Sequence, residues 1–139
     1  MNDCIFCKIV RGEIPSQKIY EDESSYVFLD IHPLTEGHTM VIPKQHFQTI
    51  QEMPPALVGK VFETVSRITG KIERAMGASA TTIGINNGRS AGQVVPHLHV
   101  HIVPRYENDG GGNIHSIVQK PSQHSLDTVK QKILAQFRL

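Results

Sequence analysis

Residues 97–103 read His97, Leu98, His99, Val100, His101, Ile102 and Val103, a strict alternation of imidazole and apolar side chains. In an extended chain successive side chains point to opposite faces, so all three histidines share one face of a strand. Leu98, Val100 and Ile102 share the other, where they can enter a core. At about 3.3 Å per residue, neighbouring imidazoles start about 6–7 Å apart. A core strand has no structural use for three imidazoles in a row. Imidazole is a nucleophile, a proton carrier and a metal ligand near neutral pH. This segment therefore anchors itself on one side and presents chemistry on the other.

Composition narrows the remaining choices. A chain of 139 residues suits one domain over 1–139 with a proper hydrophobic core. Its net charge of +1, with no basic arm or acidic tail, gives no support for nucleic-acid or membrane partners. No apolar run is long enough to cross a bilayer, and no signal-peptide pattern opens the chain. A cytoplasmic location is expected, where a structural disulfide between Cys4 and Cys7 is disfavoured.

The pattern along the chain predicts an α+β fold. Residues 4–10 read as a short turn or helix ended by Gly12 and Pro15. Residues 18–21 and 25–30 are strand-like, the second placing Tyr26, Phe28 and Asp30 on one face and Val27 and Leu29 on the other. Residues 32–37 read as a turn, and 39–42 as a short strand stopped by Pro43. Pro54 and Pro55 suit a helix start. Leu57, Val58, Val61, Phe62, Val65, Ile68, Ile72 and Met76 then recur at helical spacing up to a stop at Gly77. Residues 80–86 form the next strand, and a tight loop around Asn87-Gly88 and Ala91-Gly92 leads into the histidine segment. Residues 109–112 form a flexible loop. Ser125 caps a last helix with Leu126, Val129, Ile133, Leu134 and Phe137 on its buried side. Strands with short connections predict a mainly antiparallel sheet with helices packed on one face.

Two clusters carry chemistry. Cys4 and Cys7, joined by His46 and His97, have the donor set of a Cys2His2 zinc site. A redox pair would normally sit at a strand-to-helix junction of a βαβ unit, which this pattern lacks, and two idle buried thiols are the remaining alternative. The three histidines admit two readings: ligands around an open catalytic metal, or a neutral imidazole nucleophile that attacks phosphorus while its neighbours position the phosphate and move protons. No acidic residue lies close in sequence to complete a two-metal site. The loop before the triad favours phosphate. Asn86, Asn87, Gly88, Ala91, Gly92 and Gln93 are small or amide-bearing, able to approach a phosphate and donate hydrogen bonds. His38, opening another strand after Gly37, can add a fourth imidazole.

Taken together, these segments resemble the histidine-triad superfamily of nucleotide hydrolases and transferases. The resemblance rests on Cys4-Ile-Phe-Cys7-Lys-Ile, Phe28-Leu-Asp30, Gly37-His38-Thr-Met-Val-Ile-Pro-Lys44, Asn86-Asn-Gly88, Ala91-Gly-Gln93, His97-Leu-His99-Val-His101 and Pro104-Arg105. It is nearest to the nucleotide-binding (Hint) branch in its microbial form. The fragile-histidine-triad branch typically lacks the N-terminal cysteine pair, and uridylyltransferase relatives carry glutamine at the third triad position, so His101 favours hydrolysis. Pro104-Arg105 departs from the animal Hint pattern.

The resemblance implies a role for each residue. His99 matches the nucleophile that forms a covalent nucleotidyl-histidine. His101 matches the histidine that contacts the phosphate or leaving group, and His38 one that lines the phosphate site. Asn86 and Gln93 match phosphate hydrogen-bonders. Val94 stands where animal Hint proteins have a serine. Asp30 matches the carboxylate that holds the ribose hydroxyls, and Ile31 lines the purine pocket. Cys4, Cys7, His46 and His97 match a structural zinc site, so no catalytic metal is needed. It further implies a five-stranded sheet that pairs as a homodimer into ten strands, with purine nucleotides as partners. The implied activity is hydrolysis at the α-phosphate of adenosine phosphoramidates or related conjugates. Diadenosine polyphosphate cleavage and a nucleotide-binding adaptor role are the alternatives.

Overall fold

The computed structural model describes residues 3–138. The chain divides into two compact units, one ending at Asp109 and the other beginning at Gly110. The first holds β1 (Lys18–Glu21), β2 (Ser25–Leu29), β3 (Thr39–Pro43), β4 (Ala80–Gly84) and β5 (Val100–Arg105), with helices α1 (Ile5–Val10) and α2 (Pro55–Met76). The strands form one sheet in the order β1-β2-β3-β5-β4, and every pairing is antiparallel. The expected α+β class and five-stranded sheet are what the chain forms.

Alternation along the strands decides what each face of the sheet buries. Val27, Val41, Val100 and Ile102 pack with Leu98, Met53 and the Val61, Val65 and Ile68 stripe of α2. Tyr26, Phe28, Met40 and Ile42 pack instead with Cys4, Phe6, Cys7 and Ile9 of the N-terminal segment. The two principal helices thus serve opposite faces, where the sequence suggested one. The period-two pattern of β2 and β3 is apolar on both sides, and a sheet apolar on both faces needs cover on both. α2 starts with Pro55 in its first turn and ends at Gly77, whose φ of 65° is left-handed and whose N–H donates to the Arg74 carbonyl, while Ala78 N–H donates to that of Glu73.

The histidine segment starts in a bend at His97, and its ladder begins only at Val100. β3 reaches β5 from Val100 to Ile102, and β4 stops at Gly84 opposite His101. Beyond that point Leu98 N–H donates to the Phe47 carbonyl and His97 N–H to Val95. Side-chain alternation survives the loss of pairing, because backbone extension sets it. β2 and β4 are likewise shorter than expected, ending before Asp30 and before Ile85.

The second unit contains α3 (Leu126–Ala135), capped by Ser125, whose Oγ accepts from Thr128 N–H. The predicted buried side of this helix is corrected. Leu126 and Phe137 are 86% and 80% exposed, and no α3 residue is buried. Its amphipathic spacing is real, with Val129 and Leu134 half-buried and Leu126 and Ile133 exposed. No helix among the described residues is long and apolar enough to cross a membrane.

Candidate active site and metal centre

His97, His99 and His101 share the face on which α1 lies. The ring of Phe6 meets His97 and His99 edge-on at centroid distances of 5.9 and 5.2 Å. His99 and His101 follow at 5.0 Å, also edge-on. Such T-shaped contacts fix ring planes as well as excluding water. Phe6 was missed by sequence reasoning; its signal was being the aromatic one of the two apolar residues between the cysteines.

Backbone groups fix which nitrogen of each histidine carries hydrogen, since a carbonyl only accepts and an amide N–H only donates. His99 Nδ1 lies 2.7 Å from the His97 carbonyl, so it donates, and the neutral ring has a bare Nε2. Leu34 N–H donates to His38 Nδ1 at 3.1 Å, which places the His38 hydrogen on Nε2. That nitrogen lies 2.9 Å from His101 Nδ1 and donates to it, leaving His101 with its hydrogen on Nε2. Two neighbouring imidazoles are therefore set in opposite senses, His99 as an acceptor and His101 as a donor.

The His38 and His101 rings are held neutral. Burial, then the neighbouring His99 and His38, push His101 down to about 4, although Asp30 opposes this. Burial also lowers His38. For His101 the folded value lies below the ordinary 6.5, so the unfolded chain binds the proton more tightly. Its contribution to stability is complete above pH 6.5 and is lost as pH falls towards 4. Urea unfolding of the folded protein is expected to lose on the order of 2 kcal/mol to this residue across that window. His101→Asn removes that part of the slope; an unchanged slope would show that His101 is not desolvated as described.

Asp30 stands at the end of β2. Its Oδ1 accepts from His32 N–H at 2.8 Å, and Oδ2 is 3.5 Å from His38 Nε2. Asp30, His38 and His101 lie close enough to suggest a metal site. The tautomers argue against one. A metal on His38 Nε2 would put the ring hydrogen on Nδ1, facing the Leu34 N–H donor.

The amide-rich loop is braced rather than free. Gln93 Oε1 accepts from Gly88 N–H at 2.8 Å, and Nε2 donates to the Gln48 and Val95 carbonyls. Both Gln93 amide hydrogens are thus engaged within the protein. Asn87 accepts from Ile50 N–H and donates to Gln51. Asn86 is exposed and makes no side-chain hydrogen bond among the described residues. Ile31 and Val94 are 78% and 89% exposed.

The second cluster brings together all four residues singled out for zinc. Cys4 Sγ and Cys7 Sγ lie 3.4 and 3.6 Å from His97 Nδ1. Cys7 Sγ is 3.4 Å and His97 Nδ1 3.2 Å from His46 Nδ1. Tetrahedral zinc with ordinary bond lengths separates sulfur and nitrogen ligands by about 3.6 Å and two nitrogens by about 3.3 Å. His97 Nε2 donates to the Pro43 carbonyl at 2.9 Å, which leaves Nδ1 bare towards the cluster, as a ligand requires. Burial and the adjacent Cys4 raise the Cys7 thiol, and a cation among these atoms would reverse that. Distances, tautomer and donor types all fit zinc.

The antiparallel sheet thus carries a buried imidazole with one bare nitrogen beside an imidazole donor, next to a Cys2His2 cluster. The HIT domain model matches residues 11–108, and the chain belongs to the HIT family. It is 46% identical over 108 residues to an adenylylsulfatase of Arabidopsis thaliana, a match covering 78% of this chain but 55% of that protein. It is 34% identical to an adenosine 5′-monophosphoramidase of Saccharomyces cerevisiae, covering 96% of this chain and 82% of the relative. Among solved structures, a zinc-bound histidine triad family protein of Mycobacterium smegmatis has a TM-score of 0.74 at 34% identity, covering 99% of this chain and 96% of the other. The chain is a HIT-family nucleotide hydrolase of the Hint-like branch, and its cysteine–histidine cluster is compatible with structural zinc.

Proposed function

We propose that this protein hydrolyses purine nucleoside monophosphate conjugates, adenosine phosphoramidates among them, through a nucleotidyl-His99 intermediate. The observation that carries this reading is the opposed pair of tautomers on His99 and His101. His99 Nε2 has the lone pair needed to bond to the α-phosphorus as the bond to the leaving group breaks. His101 offers an N–H to the atoms on which charge builds. Water then cleaves the phosphorus–nitrogen bond and restores His99. Asn86 supplies an amide to the phosphate, Gln93 holds the loop that carries it, and Ile31 and Val94 border the nucleotide. Zinc, when bound to Cys4, Cys7, His46 and His97, would tie the N-terminal segment to the start of the triad. Support comes from the family and from the two relatives named as enzymes acting on adenylyl sulfate and adenosine phosphoramidate.

The same reading takes the chain as a cytoplasmic homodimer. β4 lies at one edge of the sheet, and its Ile83 is 44% exposed; an open edge of this kind can continue a sheet into a second copy. Turnover of adenosine phosphoramidates and dinucleoside polyphosphates tests the hydrolase. Background rates with intact purine nucleotide binding would replace it with an adaptor.

Asp30 is assigned to the ribose, and the alternative is the turn cap it already provides to His32. A carboxylate can accept from both the 2′ and 3′ hydroxyls, and losing such charge-assisted bonds costs about 1.5–3 kcal/mol, or roughly ten- to a hundredfold in binding. Asp30→Asn is expected to weaken ribonucleotide conjugates by that factor while barely changing 2′,3′-dideoxyribose ones. Equal losses for both sugars would return Asp30 to a structural role.

A further inference from the structure

We propose that Thr35 and Tyr106 are positioning residues of the hydrolytic site, holding the 31–37 turn so that Leu34 N–H fixes His38, and through it His101, as hydrogen-bond donors. The inference rests on the hydrolase reading above. β5, still paired with β4, runs on beyond the end of β3. β3 begins at Thr39, opposite Ile102, so it cannot reach the carbonyl of Pro104 two residues further on. Thr35 Oγ1 takes that carbonyl at 2.7 Å. Tyr106 OH donates to the Glu36 carbonyl at 2.9 Å. Tyr106 is itself anchored, its N–H donating to Asp109 Oδ2 at 3.0 Å, and the same carboxylate grips the Arg105 guanidinium through both oxygens.

The turn between these two ties has little regular structure of its own. His38 N–H donates to the Thr35 carbonyl. At Gly37, with φ of +90°, an added Cβ would lie 2.5 Å from Met76 Cγ, so the turn is backed by the end of α2. Leu34, which points the decisive N–H at His38, has a side chain that is 76% exposed. Apolar packing therefore does not hold Leu34 in place. The bond of the Thr35 hydroxyl to the Pro104 carbonyl of β5, the strand that carries His101, and that of Tyr106, next after β5, to the Glu36 carbonyl do.

If the turn loosens, His38 loses the donor that keeps its hydrogen on Nε2. The alternative tautomer has a bare Nε2 towards His101 Nδ1, which allows His101 to move its own hydrogen to Nδ1 and leaves its Nε2 without one. The His99 nucleophile is untouched by this exchange, which acts on the hydrogen that His101 offers. The effect should therefore fall on departure of poor leaving groups and spare good ones.

The test compares Thr35→Val, Tyr106→Phe and the double variant on two conjugates of the same nucleotide, an alkylamine phosphoramidate and a p-nitrophenyl ester. The double variant is expected to lose about tenfold in kcat on the amine conjugate, with KM and p-nitrophenyl turnover changed by less than about twofold. Thr35→Ser, which keeps the hydroxyl, should restore the amine rate in the Thr35 series. Nitrogen-15 NMR of labelled histidine should find His38 protonated at Nε2 in the parent and a tautomer mixture in the double variant. Wild-type kcat on both conjugates in every variant, or equal losses on both with parent tautomers, would overturn the proposal. Failure of the unmutated protein to turn over either conjugate would instead sink the hydrolase reading, with the NMR still reporting the tautomers.

Discussion

His99→Ala is expected to lower turnover by about three orders of magnitude or more, with fold and nucleotide binding kept. The expectation follows from the hydrogen bond of Nδ1 to the His97 carbonyl, which leaves one nitrogen free and dictates which one. Neither other imidazole of the triad is so placed: His97 Nδ1 faces the cysteines, and His101 Nδ1 is occupied by His38. The residue is 8% exposed and flanked by Phe6, so the alanine leaves a small void rather than an unpaired charge. Nucleotide affinity is the control. Acid-quenched reactions of the parent should yield phosphorus bonded to this ring, labile to acid and stable to base. Turnover of the alanine variant near the parent rate would remove the covalent mechanism.

Cys4→Ala is expected to be the most damaging change to stability outside the apolar core. Zinc bound to the folded chain and not to the unfolded one adds its binding energy to folding. Removing one of four ligands, on the order of 3 kcal/mol, lowers the melting temperature of a domain this size by roughly 10 °C. Cys4 also caps α1, its Sγ accepting from Cys7 N–H at 3.4 Å, and it belongs to the smaller of the two apolar clusters. The chemical step should suffer less, because the His97 carbonyl that orients His99 is backbone and Phe6 still packs on both rings. Elemental analysis of protein purified without chelator should find one zinc per chain, and a zinc-free preparation of equal stability would discard the site. The same variant assayed well below its melting temperature separates the two effects.

Much of this was legible before any coordinates. Strand alternation at Tyr26-Val27-Phe28 predicted two faces, and both faces are filled. Proline at the start and glycine at the stop bounded α2 correctly. What failed was arithmetic of cover. The pattern of 126–137 identified an amphipathic helix, but periodicity states only that an apolar side exists, never what buries it. The same limit explains why helices were expected on one face: a six-residue segment such as α1 has too little periodicity to announce a side. Gln93 shows a third kind of limit. An amide is able to bind phosphate or brace a loop, and only the positions of Gly88, Gln48 and Val95 decide between them.

The sequence by itself determined the chemical inventory: three imidazoles on one face, a cysteine pair with ligand spacing, and a carboxylate at a strand end. Those follow from residue type and backbone period, which are local properties. Tertiary structure alone decided which nitrogen does what. The tautomers of His97, His99 and His38 depend on Pro43 O, His97 O and Leu34 N–H; the Pro43 bond, and the His38–His101 contact that passes the setting on, each join segments more than fifty residues apart. A hydrogen bond is directional and short, so a site built on bare and protonated nitrogens exists only once distant backbone groups are brought within about 3 Å of the rings.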